Sequence, residues 1–249
     1  MQAQPDQTQQ PSAPETGIPQ HAAFIMDGNG RWAEQRRLPR LEGHKKGVDR
    51  LEGVLEFLGG KGVKYVTVYA FSTENWNRPA EEVQGIMVLL SDALQLQSQA
   101  LHKKNVRVSH IGRSNHLSPD LHRSVAYAQS LTENNTGITL NVAFDYGSRD
   151  EILEAVRHIV QDGVPADSID ETLFTSYLYT AQIPDPDLII RTGGELRLSN
   201  FLLWQSAYSE YYPTPVLWPD LDAAELGKAL DAYKSRQRRF GKVNPDSQA

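Results

Sequence analysis

Cysteine is absent from this chain of 249 residues, and an excess of basic residues is missing as well. Without cysteine there are no disulfide bonds, no thiolate nucleophile and no cysteine-ligated metal, which is typical of a cytoplasmic protein. The formal net charge of −6 excludes a surface that is basic throughout. We therefore expect a cytoplasmic protein that does not bind nucleic acid, although a local cluster of arginines could still bind a small anion.

Long hydrophobic runs are also missing, because none approaches the roughly 18 residues of a membrane-spanning helix. The chain begins with a segment rich in Gln and Pro that has neither the basic start nor the apolar stretch of a secretory signal. This composition predicts a disordered leader over residues 1–19. We expect one folded domain over residues 20–241 and a flexible tail over residues 242–249.

Short apolar runs alternate with helical periodicity over the rest of the chain. Strands are predicted at 21–26, 65–71, 106–111, 138–144 and 188–190. Helices are predicted at 48–58 (closed by Gly59 and Gly60), at 83–101 after Pro79, and around 117–131, 152–159 and 226–233. Because the strands are apolar almost throughout, the pattern predicts a single α/β domain whose mostly parallel sheet is flanked by helices.

Polar segments follow three of these strands, at the edge where parallel sheets bind ligands. After the first strand, Gly28 and Gly30 let the backbone approach an anion closely. Asp27 would repel that anion unless a cation joined them, and Mg²⁺ takes one or two carboxylates together with phosphate oxygens. Taken alone, this segment is better accounted for by an ordinary Asp-Gly and Asn-Gly turn.

The other two segments are richer in candidate ligands. The second strand runs into a polar cluster that ends at Arg78, which is more than a helix cap needs. The last strand runs into Arg191 and Arg197, which flank a Gly-Gly turn with Ser199 beyond and would suit bidentate diphosphate binding. A surface pair between Glu195 and Arg197 is the alternative for this third segment.

Together these segments resemble the cis-prenyltransferase family of isoprenyl transferases, whose bacterial members include undecaprenyl diphosphate synthase. The resemblance is carried by IMDGNGRW at 25–32, YAFSTENWNR at 69–78 and RTGGELRLSNFLLWQ at 191–205, and it extends from about residue 21 to 241. It implies a hydrophobic product tunnel in the fold, and repeated condensation of isopentenyl diphosphate with an allylic diphosphate such as farnesyl diphosphate. The product would be a polyprenyl diphosphate of the undecaprenyl lipid-carrier type.

The resemblance also implies roles for individual residues. Asp27 and Asn75 would be catalytic, and Asp27 and Glu210 would bind Mg²⁺. The implied substrate-binding positions are Gly28, Asn29, Gly30, Arg31, Trp32, Arg40, His44, Ser72, Thr73, Glu74, Trp76, Arg78, Arg191, Arg197, Leu198, Ser199, Arg239 and Gly241. Of these, the allylic diphosphate would take Gly28, Asn29, Gly30, Arg31, Arg40, His44 and Arg78. Isopentenyl diphosphate would take Arg191, Arg197 and Ser199, and both tryptophans would lie near the isoprenoid.

Further implications concern partners and alternatives. The resemblance implies a homodimer in which Arg239 and Gly241 reach the neighbouring subunit, and peripheral membrane contact for product release. Many family members carry histidine where this chain has Leu196. The alternative function is a non-catalytic partner subunit of a prenyltransferase complex, but such members lose the carboxylate and arginines that Asp27, Arg191 and Arg197 supply here. A nucleotide enzyme is disfavoured because the phosphate-loop signature is absent.

Overall fold

The computed structural model describes residues 17–114 and 116–236. Within them, one sheet is formed by β1 (His21–Ile25), β2 (Tyr65–Ser72), β3 (Arg107–Ile111), β4 (Thr139–Tyr146), β5 (Leu188–Arg191) and β6 (Glu210–Pro213). The strand order is β3-β4-β2-β1-β5-β6, and all five neighbouring pairs are parallel. The predicted α/β class with a parallel sheet flanked by helices is therefore confirmed.

The helices are α1 (Asn29–Gln35), α2 (Arg40–Lys61), α3 (Ala80–Lys103), α4 (Pro119–Thr132), α5 (Ser148–Gln161), α6 (Glu171–Ser176) and α7 (Ala223–Ser235). The prediction that Gly59 and Gly60 close α2 is wrong, because the helix continues to Lys61 and ends at Gly62. Glycine costs only about 1 kcal/mol inside a helix. A left-handed residue is what ends one, and Gly62 has φ 97°.

Strand β6 was not predicted from the sequence. It has only four residues and alternates between half-buried and exposed, because it forms the edge of the sheet beside β5. Such short, partly exposed strands are typical sheet edges, and their pattern is too weak to identify without the neighbouring strand.

The sheet has an apolar core on each face. Alternate residues of β1 point to opposite sides, so Phe24 packs with α2, α3 and α7 while Ile25 packs with the loop at Phe201. This two-sided burial explains the nearly continuous apolar strands. Residues of the predicted leader also join the structure, because Ile18 packs against the first core and Pro19 is buried.

A β-bulge near the end of β2 shapes the edge where the polar segments meet. Tyr69 pairs with Ala143 and Phe71 pairs with Phe144, so Ala70 is an extra residue without a partner in β4. A bulge changes the direction of nearby side chains, and both Tyr69 and Ala70 line the cavity at this edge. No helix in the described ranges is long and apolar enough to cross a membrane.

Candidate active site

A cavity of about 340 Å³ opens beyond the carboxyl ends of β1, β2 and β5, and we call it the polar cavity. It is lined by Ile25, Met26, Asp27, Asn29, His44, Tyr69, Ala70, Ser72, Asn75, Arg78, Ile86, Arg191, Arg197 and Ser199. The three polar segments of the sequence, which are far apart along the chain, therefore meet here, as expected for the end of a parallel sheet.

Asp27 is held at the floor of the polar cavity by its backbone and by two arginines. Its N–H donates to Thr192 Oγ1 at 2.9 Å, and the Thr192 hydroxyl donates to Asp27 O at 2.7 Å. Its carboxylate lies 2.9 Å from Arg191 Nη2 and 3.2 Å from Arg31 Nη2. Burial raises the pKa of this carboxyl, but the hydrogen bonds and charges of Arg191 and Arg31 lower it below its usual value, so Asp27 is ionised at neutral pH.

Arg191 is a buried cation that organises the last polar segment. Its guanidinium donates to Asp27, to Ser199 Oγ at 2.9 Å and to the carbonyl oxygen of Arg197. Glycine is favoured nearby, because Gly193 has φ 83°, a left-handed conformation that other residues rarely adopt. Arg191 is thus fixed by its neighbours, and Arg197 is exposed and pairs with Glu195 at 2.7 Å.

A second group of basic side chains lies across the cavity, on α2 and in the loop just before α3. Arg78 and His44 line the polar cavity, and Arg40 lies one turn before His44 on α2. Burial, followed by the charge of Arg78, lowers the pKa of His44 below 6.5 despite the opposing effect of Glu82. His44 is therefore mainly neutral at pH 7.

Buried polar atoms without hydrogen-bond partners concentrate at this site. Of five such side-chain atoms in the described residues, three belong to it: Asn29 Oδ1, His44 Nε2 and Arg191 Nε. Because buried polar atoms are nearly always hydrogen-bonded, atoms left over in this way indicate the place of a polar ligand.

An apolar cavity of about 100 Å³ extends from the polar cavity between α2, α3 and the sheet. Most of its wall is aliphatic, and the wall includes Val48, Leu51, Val68, Leu89, Leu90, Leu94, Leu101, Val108, Leu140 and Val142. The two cavities share Met26, Asn29, His44, Ala70 and Ile86. The joined space therefore fits a ligand with an anionic head and a hydrocarbon tail.

Of the other predicted residues in the second motif, one lies in the polar cavity and two lie outside it. Asn75 lines the polar cavity and accepts a hydrogen bond from the Ser72 N–H at 3.1 Å. Glu74 instead accepts one from Asn200 at 2.8 Å, and Thr73 packs close to Gly147. Neither side chain lines the polar cavity.

Both tryptophans also point away from the cavities. Trp32 donates to Asp220 at 2.7 Å and stacks under Arg36 on the outer surface. Trp76 donates to the buried Asp145 at 2.7 Å and packs on Phe71. Neither indole lines the two cavities, because each is held by a carboxylate elsewhere, and the expectation that the tryptophans lie near the isoprenoid stays a prediction.

The backbone glycines and Leu198 also have structural roles. A Cβ on Gly28 would lie 2.8 Å from Leu217, and one on Gly30 would lie 2.7 Å from Arg40. Glycine at both positions therefore allows the loop to pack closely. Leu198 packs against the second core beside Phe201, so its side chain is an anchor for the loop.

The structure does not bring Glu210 to Asp27 within one chain. Glu210 begins β6 and pairs in register with Leu188, whereas Arg191, beside Asp27, pairs with Pro213. Glu210 therefore lies three residues of strand, roughly 10 Å, from the position on β6 that pairs with Arg191. Glu210 instead pairs with Arg236 at 2.7 Å. Glu210 therefore does not lie beside Asp27 within one chain, and its role as a metal ligand stays a prediction.

The sequence analysis missed some residues of the site, and two predicted residues lie outside the part of the chain that the structure describes. Thr192 and Tyr69 lie within the recognised motifs but were not predicted as site residues. Glu82, which contacts the second cation group, follows Arg78 by four residues, and that helical ion-pair spacing was the available signal. Arg239 and Gly241 lie outside the described residues.

Asp27 is the candidate metal ligand on this face of the sheet. No group of three or more His, Asp or Glu side chains that could hold a metal occurs in the part of the chain that the structure describes. A single ionised carboxylate, partly exposed at 29%, still suits Mg²⁺, which takes most of its ligands from phosphate and water. The residues present therefore fit a metal that arrives with a diphosphate.

Comparisons with known proteins agree with this geometry. The chain matches, over residues 25–241, the prenyltransferase family model described as "Putative undecaprenyl diphosphate synthase". It is 51% identical to the isoprenyl transferase of Fusobacterium nucleatum, over 92% of this chain and 98% of that protein. It is 53% identical to the isoprenyl transferase of Streptococcus pyogenes, over 91% of this chain and 94% of that protein.

Two solved structures share the fold over nearly their whole length. Lavandulyl diphosphate synthase from Lavandula x intermedia, in complex with dimethylallyl diphosphate, superposes with a TM-score of 0.88 at 36% identity. The match covers 92% of this chain and all of that one. A probable undecaprenyl diphosphate synthase from Campylobacter jejuni gives a TM-score of 0.77 at 31% identity, covering 90% and 99% of the two chains.

Proposed function

We propose, from the premise that this chain belongs to the isoprenyl transferase family, that it condenses isopentenyl diphosphate with an allylic diphosphate and extends a cis-polyprenyl chain. The observation that carries this proposal is the joining of a cation-lined cavity to an apolar one. A prenyl diphosphate has the matching form, with an anionic head and a hydrocarbon tail. We propose a long product of the undecaprenyl type.

Each of the two groups of basic side chains binds the diphosphate of one substrate. The allylic diphosphate takes Arg78, Arg40 and His44, because this group lies where the polar cavity meets the apolar one. Its chain then enters the apolar cavity past Ala70 and Ile86, which line both. Isopentenyl diphosphate takes Arg191, Arg197 and Ser199 on the opposite wall, a group suited to charge-assisted hydrogen bonds.

The chemistry follows from this placement. The allylic carbon–oxygen bond breaks, and its electron pair leaves with the diphosphate, whose growing charge the arginines stabilise. The alkene of isopentenyl diphosphate forms the new carbon–carbon bond, and the carbon next to the resulting cation gives up a proton, which passes to an oxygen of the departing diphosphate. Asn75 is an amide and too weak a base to remove that proton alone, so its place is to orient groups in the cavity.

Mg²⁺ held by Asp27 would supply further stabilisation of diphosphate charge. Asp27 suits this role because Arg191 and Arg31 keep it ionised. These same residues favour an enzyme over a non-catalytic partner subunit, since a subunit without chemistry has no need of a buried arginine paired to an ionised carboxylate.

We further propose that the enzyme works as a homodimer through the face that carries α5 and β6. Leu153, Val156 and Val160 form an exposed apolar stripe on α5, with exposed fractions of 52%, 44% and 72%. The exposed Leu203 adjoins this stripe, because its N–H donates to Ser148 at the start of α5. A second copy would bury this apolar stripe, and β6 has no strand on its outer side within the part of the chain that the structure describes.

The proposed reaction is tested by replacing Asp27 with alanine. We expect product formation from labelled isopentenyl diphosphate to fall by at least about 100-fold, because the site loses its one candidate metal ligand. Activity within tenfold of the unchanged enzyme would contradict the assignment.

The matched control is Asp92→Ala, which removes an exposed carboxylate from α3. It should keep full activity, and both variants should melt within a few degrees of the unchanged protein. Sizing the products with several allylic starters would then determine the starter preference and the chain length.

A further inference from the structure

Glu82 lies in the middle of the cations to which the allylic diphosphate is assigned. Its carboxylate is 3.0 Å from Arg78 Nη1, 3.5 Å from His44 Nε2 and 3.5 Å from Arg40 Nε. The side chain is only 16% exposed, and it shares a face of α3 with Ile86, which lines both cavities. One carboxylate therefore contacts three basic side chains, two from α2 and one from the loop before α3.

A carboxylate oxygen and a phosphate oxygen accept hydrogen bonds from the same donors on these basic side chains. Both accept charge-assisted hydrogen bonds from guanidinium groups, and the geometry that suits one suits the other. A diphosphate that binds Arg40, His44 and Arg78 must therefore share these donors with Glu82 or displace it. Because Glu82 is largely shielded from water, its repulsion of an arriving anion is weakly screened.

We propose that Glu82 is an internal competitor of the substrate diphosphate, which lowers the affinity of the allylic site so that a diphosphate is released readily after each condensation. This inference rests on the proposed function. Binding a substrate and its transition state equally tightly lowers KM without raising kcat. In a cycle where each product must leave the site or shift within it, excess ground-state affinity slows turnover.

A purely structural role for Glu82 makes the opposite prediction. The spacing from Arg78 to Glu82 is that of a helical i,i+4 ion pair, and the contact with His44 joins α3 to α2. If Glu82 only braced these side chains, its loss would disorder them and weaken diphosphate binding. The sign of the change in affinity therefore separates the two roles.

The test measures binding of inorganic pyrophosphate by titration calorimetry to the full-length protein and to Glu82→Gln and Glu82→Ala. Both variants remove the charge, and the first keeps the size of the side chain. We expect each to bind pyrophosphate about tenfold more tightly. Steady-state kinetics should show a similar fall in the KM of the allylic substrate, together with a lower kcat, because release has slowed.

The matched control is Glu81→Gln, which removes the same charge from the neighbouring, exposed position on α3. It should bind pyrophosphate within twofold of the unchanged protein, so that a general change in net charge is excluded as the cause. Thermal melting of all variants checks the fold. Glu82→Ala decides the question if Glu82→Gln does not fold.

The outcomes separate this inference from the function on which it rests. If the unchanged protein condenses the substrates and binds pyrophosphate, but both Glu82 variants bind it equally or more weakly, the competition is overturned and the condensation stands. If the unchanged protein neither condenses the substrates nor binds pyrophosphate, the proposed function fails and the inference fails with it.

Discussion

Among single residues, Arg191 is the most constrained member of the site, because it is only 7% exposed and donates to two side chains and a carbonyl. Arg197 has fewer constraints, since its side chain is exposed and pairs only with Glu195 among the residues that the structure describes. The two arginines should therefore differ in their effect, although both are assigned to the same diphosphate.

We predict that Arg191→Ala and Arg197→Ala each raise the KM for isopentenyl diphosphate and leave the allylic constant nearly unchanged. A charged hydrogen bond is worth about 1.5–3 kcal/mol, which corresponds to roughly 10–100-fold. The larger effect is expected for Arg191. Arg123→Ala, an exposed arginine of α4 paired with Asp120, is the control. If only the allylic constant rises, the two substrate positions are interchanged.

His21 provides a test of stability at the opposite end of the sheet. Burial lowers the pKa of this imidazole to about 4, despite its hydrogen bond to Pro184 O and the nearby charge of Asp187. Its second nitrogen lies 2.7 Å from Thr67 Oγ1. The unfolded chain therefore takes up a proton near pH 6.5 that the folded chain takes up only near pH 4.

We predict that this difference destabilises the protein as the pH falls from about 6.5 to 4, with full stability retained above that window. Between pH 6 and 5, the free energy of unfolding should drop by about 1 kcal/mol more in the unchanged protein than in His21→Asn. Urea unfolding at both pH values measures it. His122→Asn, at an exposed position of α4, should behave like the unchanged protein. Equal losses with and without His21 would refute the assignment.

At the scale of elements, the bulge in β2 decides where the polar cavity meets the apolar one. Ala70 is the unpaired residue of this bulge and lines both cavities. The aliphatic side chains of α2 and α3 form most of the remaining wall. A larger side chain at the bulge would narrow the passage without disturbing the hydrogen bonds of a regular strand pair.

We predict that Ala70→Leu shortens the products by narrowing this passage, while the first condensation continues. Chromatography of the reaction products against length standards measures the change. Ala100→Leu, at an exposed position of α3, adds the same volume outside the cavities and should leave the length distribution as it was. An unchanged distribution for Ala70→Leu would argue that growing chains do not pass this residue.

At the scale of the whole molecule, the dimer prediction concerns residues beyond the described part of the chain. We expect the segment with Arg239 and Gly241 to complete the diphosphate site of the neighbouring subunit. Subunits carrying Asp27→Ala, refolded together with subunits truncated after Ser235, would then form a heterodimer with one complete site.

Activity should therefore reappear in this mixture although each parent is inactive. Product assays of the mixture, with size-exclusion chromatography to establish that heterodimers form, measure the effect. Mixing either inactive parent with itself is the control. A mixture that contains heterodimers yet stays inactive would mean that the tail acts within its own subunit or has no role in the reaction.

The sequence by itself determined the class of the fold and most of the site. Nearly continuous apolar runs marked five of the six described strands, because burial on both faces of a parallel sheet leaves that local signature. The ends of these strands gave Asp27, Arg78 and Arg191, since parallel strands all present their carboxyl ends at one edge. These inferences use only residues that are close together in sequence, together with the rule that parallel strands lie side by side.

Tertiary structure decided which side chains face one another. It turned Trp32 and Trp76 away from the cavities, placed Glu210 three residues below Asp27 on the sheet, and set Glu82 among basic residues of another helix. The short edge strand β6 likewise became visible only beside β5. The physical reason is that register, strand order and helix packing fix distances between residues far apart in the chain, and no local pattern encodes those distances.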